Sequence, residues 1–191
     1  MNTLIHPLYI GIAGRAGVGK TTLASKLPDA LLQAGLQAPC IPLAFAALIK
    51  EEVAGVYGLS LQQIDDSKKF KLGRWILEQV GTYYFNREDF IKAASAKVKL
   101  VKHNEVAIFH DVRNPDEAEF IHSLGGIVLM LHRPEPEARE PYASEHKLRE
   151  IKYDIPLWND RANMAAMNAL ALDVAKQIVN HHKICTYLRP Q

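Results

Sequence analysis

Residues 8–24, which read LYIGIAGRAGVGKTTLA, decide the fold of this 191-residue chain. Leu8–Ala13 is a short apolar run of the kind that forms a buried parallel strand. A glycine-rich turn follows it, and leucines at 23, 27 and 31 then recur at helical spacing. A strand, a glycine-rich turn and a helix in this order are the setting that a phosphate-binding loop requires.

The turn itself, GRAGVGKT at 14–21, satisfies the pattern G-x-x-x-x-G-K-[ST]. Its glycines let the backbone approach phosphate oxygens closely, and its N–H groups and the helix N-terminus attract anions. We expect Lys20 to reach the β- and γ-phosphates and the Thr21 hydroxyl to ligate magnesium. The turn therefore predicts a site for ATP and Mg²⁺. The residues predicted to bind ATP are Gly14, Arg15, Ala16, Gly17, Val18, Gly19, Lys20, Thr21 and Thr22.

Strands and helices alternate through the remaining chain, which predicts parallel βαβ units with helices on both faces of one sheet. We expect a three-layer α/β fold in which helices flank a central parallel sheet of about five strands. Further strands are predicted at 38–43, 106–110, 127–131 and 153–158. Further helices are predicted at 45–57, 70–80, 88–101, 115–124 and 162–181.

Three features interrupt this regular pattern. Pro28 is expected to kink or split the first helix, with Asp29 starting a second piece. Residues 60–71 are polar and are predicted to form a mobile surface segment, while residues 133–145 contain three prolines and several charges. Both segments are interpreted as moving inserts of a single domain that spans residues 1–191.

The composition is typical of a soluble globular protein, with 48% hydrophobic and 23% charged residues. A net charge of +2 does not indicate a nucleic-acid binder, and no run approaches the roughly 18 apolar residues of a membrane span. The N-terminus lacks a secretory signal pattern, and Cys40 and Cys185 have no metal-ligand spacing. We expect a cytoplasmic protein (in the host cytoplasm if it is viral), monomeric or homodimeric, without nucleic-acid or membrane partners.

Polar side chains follow the predicted strand at 106–110, in the sequence His110-Asp111-Val112-Arg113. Asp111 is predicted to hold magnesium or to position an acceptor, because it lies at the carboxyl end of a parallel strand. Arg113 is predicted to grip an acceptor phosphate, since a planar guanidinium suits phosphate oxygens. No N-K-x-D guanine signature occurs, and a motor ATPase needs a longer chain. These features favour a small kinase with a second, phosphorylated substrate.

Five stretches of the chain resemble the bacteriophage-type deoxynucleoside monophosphate kinases, members of the P-loop nucleoside monophosphate kinase group. They are GIAGRAGVGKTTLA at 11–24, LAFAALIKEEV at 43–53, RWILEQVGT at 74–82, DVRNPDEAEFIHSLGG at 111–126 and RPEPEAREPYASEHKL at 133–148. The resemblance implies transfer of a phosphoryl group from ATP to a (deoxy)nucleoside 5′-monophosphate. It also implies an acceptor-binding insert over residues 45–100 and a lid over residues 133–147.

Residue chemistry and this resemblance together assign expected roles. The expected catalytic residues are Lys20, Asp111 and Arg133, and the expected metal ligands are Thr21 and Asp111. Acceptor binding is expected of Phe45, Arg74, Arg87, Arg113, Arg139, Ser144 and Glu145. Ala47, Leu48 and Glu78 depart from the family's pattern, which leaves the acceptor base open. Two alternatives remain: a kinase for another phosphorylated acceptor, such as phosphomevalonate, and an ATP-binding regulatory protein.

Overall fold

The computed structural model describes residues 4, 6–67, 71–134, 147–160 and 163–188. The chain divides into two compact units, one of Met1–Pro42 with Val101–Gln191 and the other of Leu43–Leu100. The second unit covers the range expected for the acceptor-binding insert, whose role stays a prediction. Most of the predicted lid, with Arg139, Ser144 and Glu145, lies outside the described residues.

Five strands form one parallel sheet. They are β1 Leu8–Ala13, β2 Cys40–Leu43, β3 Val106–Val112, β4 Ile127–His132 and β5 Ile155–Trp158. Their order across the sheet is β2-β3-β1-β4-β5, so β1 lies at the centre. The register pairs Leu8 with Val106 on one side of β1 and Ile10 with Ile127 on the other. The predicted parallel sheet is confirmed, with strand ends displaced by at most two residues.

The predicted helices occur in the expected order, and one further helix, α3 Leu61–Ser67, was not predicted. They are α1 Lys20–Gln33, α2 Ala47–Tyr57, α3 Leu61–Ser67, α4 Lys71–Tyr83, α5 Arg87–Val98, α6 Pro115–Ser123 and α7 Met164–Leu188, with a 3-10 turn at Lys147–Glu150. Two helix ends have a clear local cause. Gly58, at φ 61°, ends α2 in the left-handed conformation, and Asn114 caps α6.

Helices cover both faces of the sheet, as the three-layer prediction requires. On one face, Leu23 and Leu27 of α1 and Ile178 of α7 are fully buried in the main hydrophobic core. Burial of each such side chain contributes roughly 1.5–3 kcal/mol to stability. On the other face, Ile121 of α6 packs directly against Gly11 of β1. A methyl group added to Gly11 would lie only 2.5 Å from Cδ1 of Ile121, so there is no space for a side chain at this position.

The first helix continues through Pro28, so the predicted division at Asp29 was wrong. A proline inside a helix removes one backbone hydrogen bond and costs about 3 kcal/mol. Leu27, before the proline, and Leu31, after it, are both buried in the same core. Because both turns are held by one apolar face, the packing keeps the helix continuous despite this local cost.

Residues 60–71 were expected to be a nonregular insert, and this was wrong over Leu61–Ser67, which is helix α3. Ser60 and Gln63 form a reciprocal cap, in which each side chain accepts a hydrogen bond from the other residue's N–H. Ile64 is 1% exposed, and Lys50 of α2 makes a 2.7 Å ion pair with Asp65. The Ser60–Gln63 pair is a capping-box pattern in the sequence that the prediction did not use.

Candidate active site

The phosphate-loop sequence lies at the point where the strand order reverses. The chain leaves β1 at Ala13, between β3 on one side and β4 on the other, and enters α1 at Lys20. In open parallel sheets, the crevice outside such a switch point is where ligands bind. The topology therefore brings residues 14–19 next to the carboxyl ends of β3, β4 and β5.

Two glycines of this loop occupy positions that no other residue fits. Gly14 has φ 143°, and a Cβ there would overlap the carbonyl oxygen of Leu131 in β4. Gly19 has φ 106°, and a Cβ there would lie 2.9 Å from Nδ2 of Asn159. Both the backbone conformation and the lack of space therefore require glycine. The loop backbone therefore lies close against β4 at Gly14 and against Asn159, just after β5, at Gly19.

The Lys20 side chain folds back over its own loop. Its Nζ donates to the carbonyl oxygens of Gly14 at 2.6 Å and Arg15 at 2.7 Å. The residue is only 8% exposed, so these two carbonyl dipoles compensate a largely buried ammonium group. The contacts hold the positive charge within the loop, close to the N-terminus of α1 where anions bind.

The start of α1 has the features that an anion needs. Its N-cap is Gly19, which supplies no side-chain cap, and its first turn contains no acidic residue. The first hydrogen bond of the helix runs from the Leu23 N–H to the Gly19 carbonyl. The N–H groups of the earlier residues in this turn therefore lie outside the helix's own hydrogen-bond pattern. Thr21 is exposed on this turn and Thr22 is partly exposed. These groups fit a triphosphate, with the Thr21 hydroxyl available to a metal ion.

Arg133 reaches the same loop from the end of β4. Its Nη1 donates to the carbonyl oxygen of Gly17 at 2.8 Å. Its Nε is buried and has no hydrogen-bond partner among the described residues. A guanidinium group carries five N–H donors, so this arrangement fixes one and leaves donor capacity beside the loop. Arg133 therefore lies at the site at which its role was predicted.

A β-bulge occurs in β3 just before the predicted acceptor residues. The register pairs Gly11 with Phe109 and then Ala13 with Val112, so His110 and Asp111 together oppose Ile12. A bulge bends the strand and redirects side chains, and bulges are common beside active sites. Asp111 is partly exposed at the carboxyl edge next to the start of the loop. The sequence did not reveal the bulge, because both residues fit a regular strand.

Glu117 holds the backbone that carries Arg113. One of its carboxylate oxygens accepts from the Arg113 N–H at 2.6 Å and from the Asn114 N–H at 3.1 Å. The other accepts from Nδ2 of Asn114 at 3.1 Å, and Glu117 is 4% exposed. The Arg113 side chain itself is exposed. A buried carboxylate thus sets the direction of the loop while the guanidinium group stays accessible.

The remaining predicted residues belong to other parts of the chain. Phe45 is 2% exposed, so a stacking role would require the ring to be uncovered first. Arg87 begins α5, and its guanidinium carbon lies 5.4 Å from the centre of the Phe90 ring. Arg74 is in α4, but its side chain lies outside the described residues. The acceptor roles of these residues stay predictions.

Two residues at the site were missed at the sequence level. The spacing of Asn114 and Glu117 is a capping-box pattern, so Glu117 was detectable. Asn159 follows β5, is 7% exposed and donates from Nδ2 to the Val18 carbonyl oxygen at 2.7 Å. Nothing in its sequence neighbourhood signals this contact, because the partners are 141 residues apart.

The described residues contain no group of three or more His, Cys, Asp or Glu side chains suited to a metal ion. A magnesium ion bound chiefly by phosphate oxygens and one or two protein ligands needs no such group. Within the same part of the chain, no helix has the length and apolarity needed to cross a membrane.

The parallel sheet, the loop at its switch point and the lysine held within that loop define a P-loop kinase. A protein of Acanthamoeba polyphaga mimivirus, named as a deoxynucleotide monophosphate kinase, is 31% identical over 179 residues. The match covers 81% of this chain and 89% of the viral protein. The chain belongs to the family of this viral protein, among the P-loop nucleotide kinases, and is a phosphotransferase that acts on a small substrate.

Solved structures and family models add little to this assignment. Shikimate kinase from Aquifex aeolicus is 21% identical, with a TM-score of 0.46, over 95% of this chain and 100% of that one. A gluconokinase from Sinorhizobium meliloti is 13% identical, with a TM-score of 0.46, over 92% of this chain and 96% of that one. No protein-family model matches the chain.

Proposed function

We propose that the protein transfers the γ-phosphoryl group of ATP, with Mg²⁺, to a (deoxy)nucleoside 5′-monophosphate, and that the products are the diphosphate and ADP. The observation that carries the proposal is the position of Lys20, held by the Gly14 and Arg15 carbonyls inside a loop at the switch point of the sheet. The name of the mimivirus relative supports the same choice of acceptor.

In the donor half of this site, the loop N–H groups and the N-terminus of α1 bind the phosphates. Lys20 moves from the two carbonyls to the β- and γ-phosphate oxygens, whose negative charge attracts it more strongly than neutral dipoles do. Thr21 and Asp111 would hold Mg²⁺, which neutralises charge on the phosphates when bound. Arg133, already on the Gly17 carbonyl, supplies positive charge to the transferring group.

In the acceptor half, Arg113 grips the phosphate of the monophosphate. Glu117 accepts a 2.6 Å hydrogen bond from the backbone N–H of Arg113, and Arg113 is exposed. The backbone is therefore held in place while the guanidinium group stays accessible. Arg74 and Arg87 are proposed as further phosphate contacts, and Arg139, Ser144 and Glu145 as parts of a lid. Closure of such a lid excludes water, which would otherwise accept the phosphoryl group.

The test is a panel of deoxynucleoside and ribonucleoside monophosphates in a coupled assay of ADP release. We expect acceptor-dependent turnover, and we expect Lys20→Ala to lower it by roughly a thousandfold or more. Matched circular dichroism spectra would establish that the variant is folded. Turnover that is the same with and without any acceptor would favour an ATP-binding regulatory protein instead.

A panel extended to phosphomevalonate separates the nearest enzymatic alternative. Activity with that compound and with none of the nucleotides would overturn the nucleotide part of the proposal while leaving the kinase assignment intact. The proposed partners are therefore small nucleotides. The expected cytoplasmic location and the monomeric or dimeric state stay predictions.

A further inference from the structure

Asn159 reaches the phosphate loop from the end of the edge strand β5. Its Nδ2 donates to the carbonyl oxygen of Val18 at 2.7 Å, a buried hydrogen bond between residues 141 positions apart. A carbonyl oxygen can only accept, so the atom facing it must be the amide nitrogen and not the amide oxygen. The contact therefore has a defined direction, from the asparagine to the loop.

The support behind Asn159 is rigid. Its backbone N–H donates to the His132 carbonyl oxygen at 2.9 Å, which continues the pairing of β5 with β4 beyond the end of the strand. The preceding residue, Trp158, stacks on His132 with ring centres 5.4 Å apart and an angle of 28°. Asn159 itself is 7% exposed. Asn159 is therefore anchored through its backbone to the end of β4, which gives the loop a defined point of attachment.

Fixing the Val18 carbonyl also fixes the next N–H group. The peptide bond between Val18 and Gly19 is trans and planar, so the Gly19 N–H points opposite to the Val18 carbonyl. Because that carbonyl points at Asn159, the Gly19 N–H points away from it. Rotation of this peptide would turn a donor away from a bound phosphate and a carbonyl oxygen towards it.

We propose that Asn159 is a positioning residue for triphosphate binding, which keeps the Gly19 N–H directed at a phosphate oxygen. The inference rests on the donor half of the proposed function. It adds a residue outside the G-x-x-x-x-G-K-[ST] pattern to the machinery of the loop. Gly19 is part of the same arrangement, because its φ of 106° and its approach to Asn159 leave no room for a side chain.

The experiment compares Asn159→Ala and Asn159→Asp with wild type, using Mg-ATP in isothermal titration calorimetry and in steady-state kinetics. The alanine removes the donor, and we expect its Kd for Mg-ATP to rise roughly five- to tenfold, the effect of one lost hydrogen bond. The aspartate cannot donate and brings negative charge to the loop, so its loss should be larger. The KM for the acceptor should stay within about twofold of wild type in both.

Asn168→Ala is the matched control, because Asn168 is an exposed asparagine of α7. It should leave the affinity for Mg-ATP unchanged. A second measurement uses wild type alone: in assigned NMR spectra, we expect the Gly19 amide to shift and its hydrogen exchange to slow when Mg-ATP binds. A Gly19 amide that does not respond would overturn the inference even if the Asn159 variants do not fold.

The outcomes separate the two proposals. If wild type does not bind Mg-ATP, the proposed function fails and this inference fails with it. If wild type binds Mg-ATP but Asn159→Ala binds it equally well, or the Gly19 amide does not respond, the inference alone is overturned. A lower melting temperature with unchanged Mg-ATP affinity would also overturn it, because Asn159 would then serve stability only.

Discussion

The Nη1 atom of Arg133 donates a 2.8 Å hydrogen bond to the carbonyl oxygen of Gly17. The end of β4 is thereby joined to the middle of the phosphate loop. Arg133→Lys keeps the charge but loses the planar fork, so it cannot hold this carbonyl and face a phosphate together. We expect kcat to fall by roughly ten- to a hundredfold in the coupled assay, while the fold is retained.

The control for this change is Arg149→Lys, at an exposed position of the 3-10 turn. It should leave kcat unchanged. Equal activity of Arg133→Lys and wild type would remove Arg133 from the catalytic residues and leave it as a structural contact.

Gly19→Ala tests whether the loop requires glycine for space as well as for conformation. The added methyl group would lie 2.9 Å from Nδ2 of Asn159 and 3.1 Å from Cε of Met167. We expect a lower free energy of unfolding, by about 1–2 kcal/mol, from the positive φ alone. We also expect a loss of affinity for Mg-ATP, measured by calorimetry, because the methyl group displaces the asparagine or the loop.

Gly35→Ala is the matched control, because Gly35 also has a positive φ, of 91°, but no atom within 4 Å of an added Cβ. It should show the conformational cost in urea unfolding and bind Mg-ATP normally. Similar affinities for the two variants would mean that crowding at Gly19 has no functional effect.

Cys40 is expected to be an unreactive thiol. Burial raises its pKa to about 11 from an ordinary value of 9.0, so the reactive thiolate is scarce at neutral pH. In a Cys185→Ser background, iodoacetamide at pH 8 should modify the native protein much more slowly than the urea-unfolded protein, as measured by mass spectrometry. Equal rates in the two states would contradict the protection.

The same pKa shift has a consequence for stability. The folded state favours the protonated Cys40 thiol, because burial raises its pKa. The contribution of this thiol to the free energy of unfolding is therefore complete below pH 9 and is lost as the pH rises towards 11. Urea unfolding of wild type and Cys40→Ala over this range measures the difference. The free energy of unfolding should fall more steeply with pH in wild type.

The sequence predicted the sheet and the loop because both depend on local patterns. Leu8–Ala13 is continuously apolar, and Gly14 and Gly19 stand where the backbone takes positive φ. The two wrong predictions, at Pro28 and at residues 60–71, each rested on one local feature that the folded structure overrides. Pro28 was expected to kink or split the first helix, and the split was wrong because buried leucines on both sides keep the helix continuous. The polar composition of α3 concealed the Ser60 cap.

The site was predictable only where a short motif marked it. Lys20 belongs to a known pattern, but its contacts with the Gly14 and Arg15 carbonyls depend on the folded loop. Asn159 could not be found, because its role arises when β5 brings it to Val18. Contacts between distant segments follow from topology and register, and a single sequence contains no direct record of them.

Glu117→Gln tests whether a buried carboxylate in α6 positions the acceptor arginine. Glu117 accepts from the Arg113 and Asn114 N–H groups with one oxygen and from the Asn114 amide with the other. Glutamine keeps one oxygen and turns an NH₂ group towards a donor, so we expect about 1–2 kcal/mol less stability in urea unfolding. We also expect a higher KM for the acceptor with an unchanged KM for ATP, because the base of Arg113 moves while the phosphate loop does not.

Glu119→Gln is the matched control, since Glu119 is an exposed glutamate of the same helix. It removes one negative charge from α6 without touching the Arg113 loop. If both variants raise the acceptor KM equally, the effect arises from the charge of α6 and not from the Glu117 hydrogen bonds. If Glu117→Gln lowers stability but leaves the acceptor KM unchanged, Glu117 caps the helix without positioning Arg113, and the acceptor phosphate is held elsewhere.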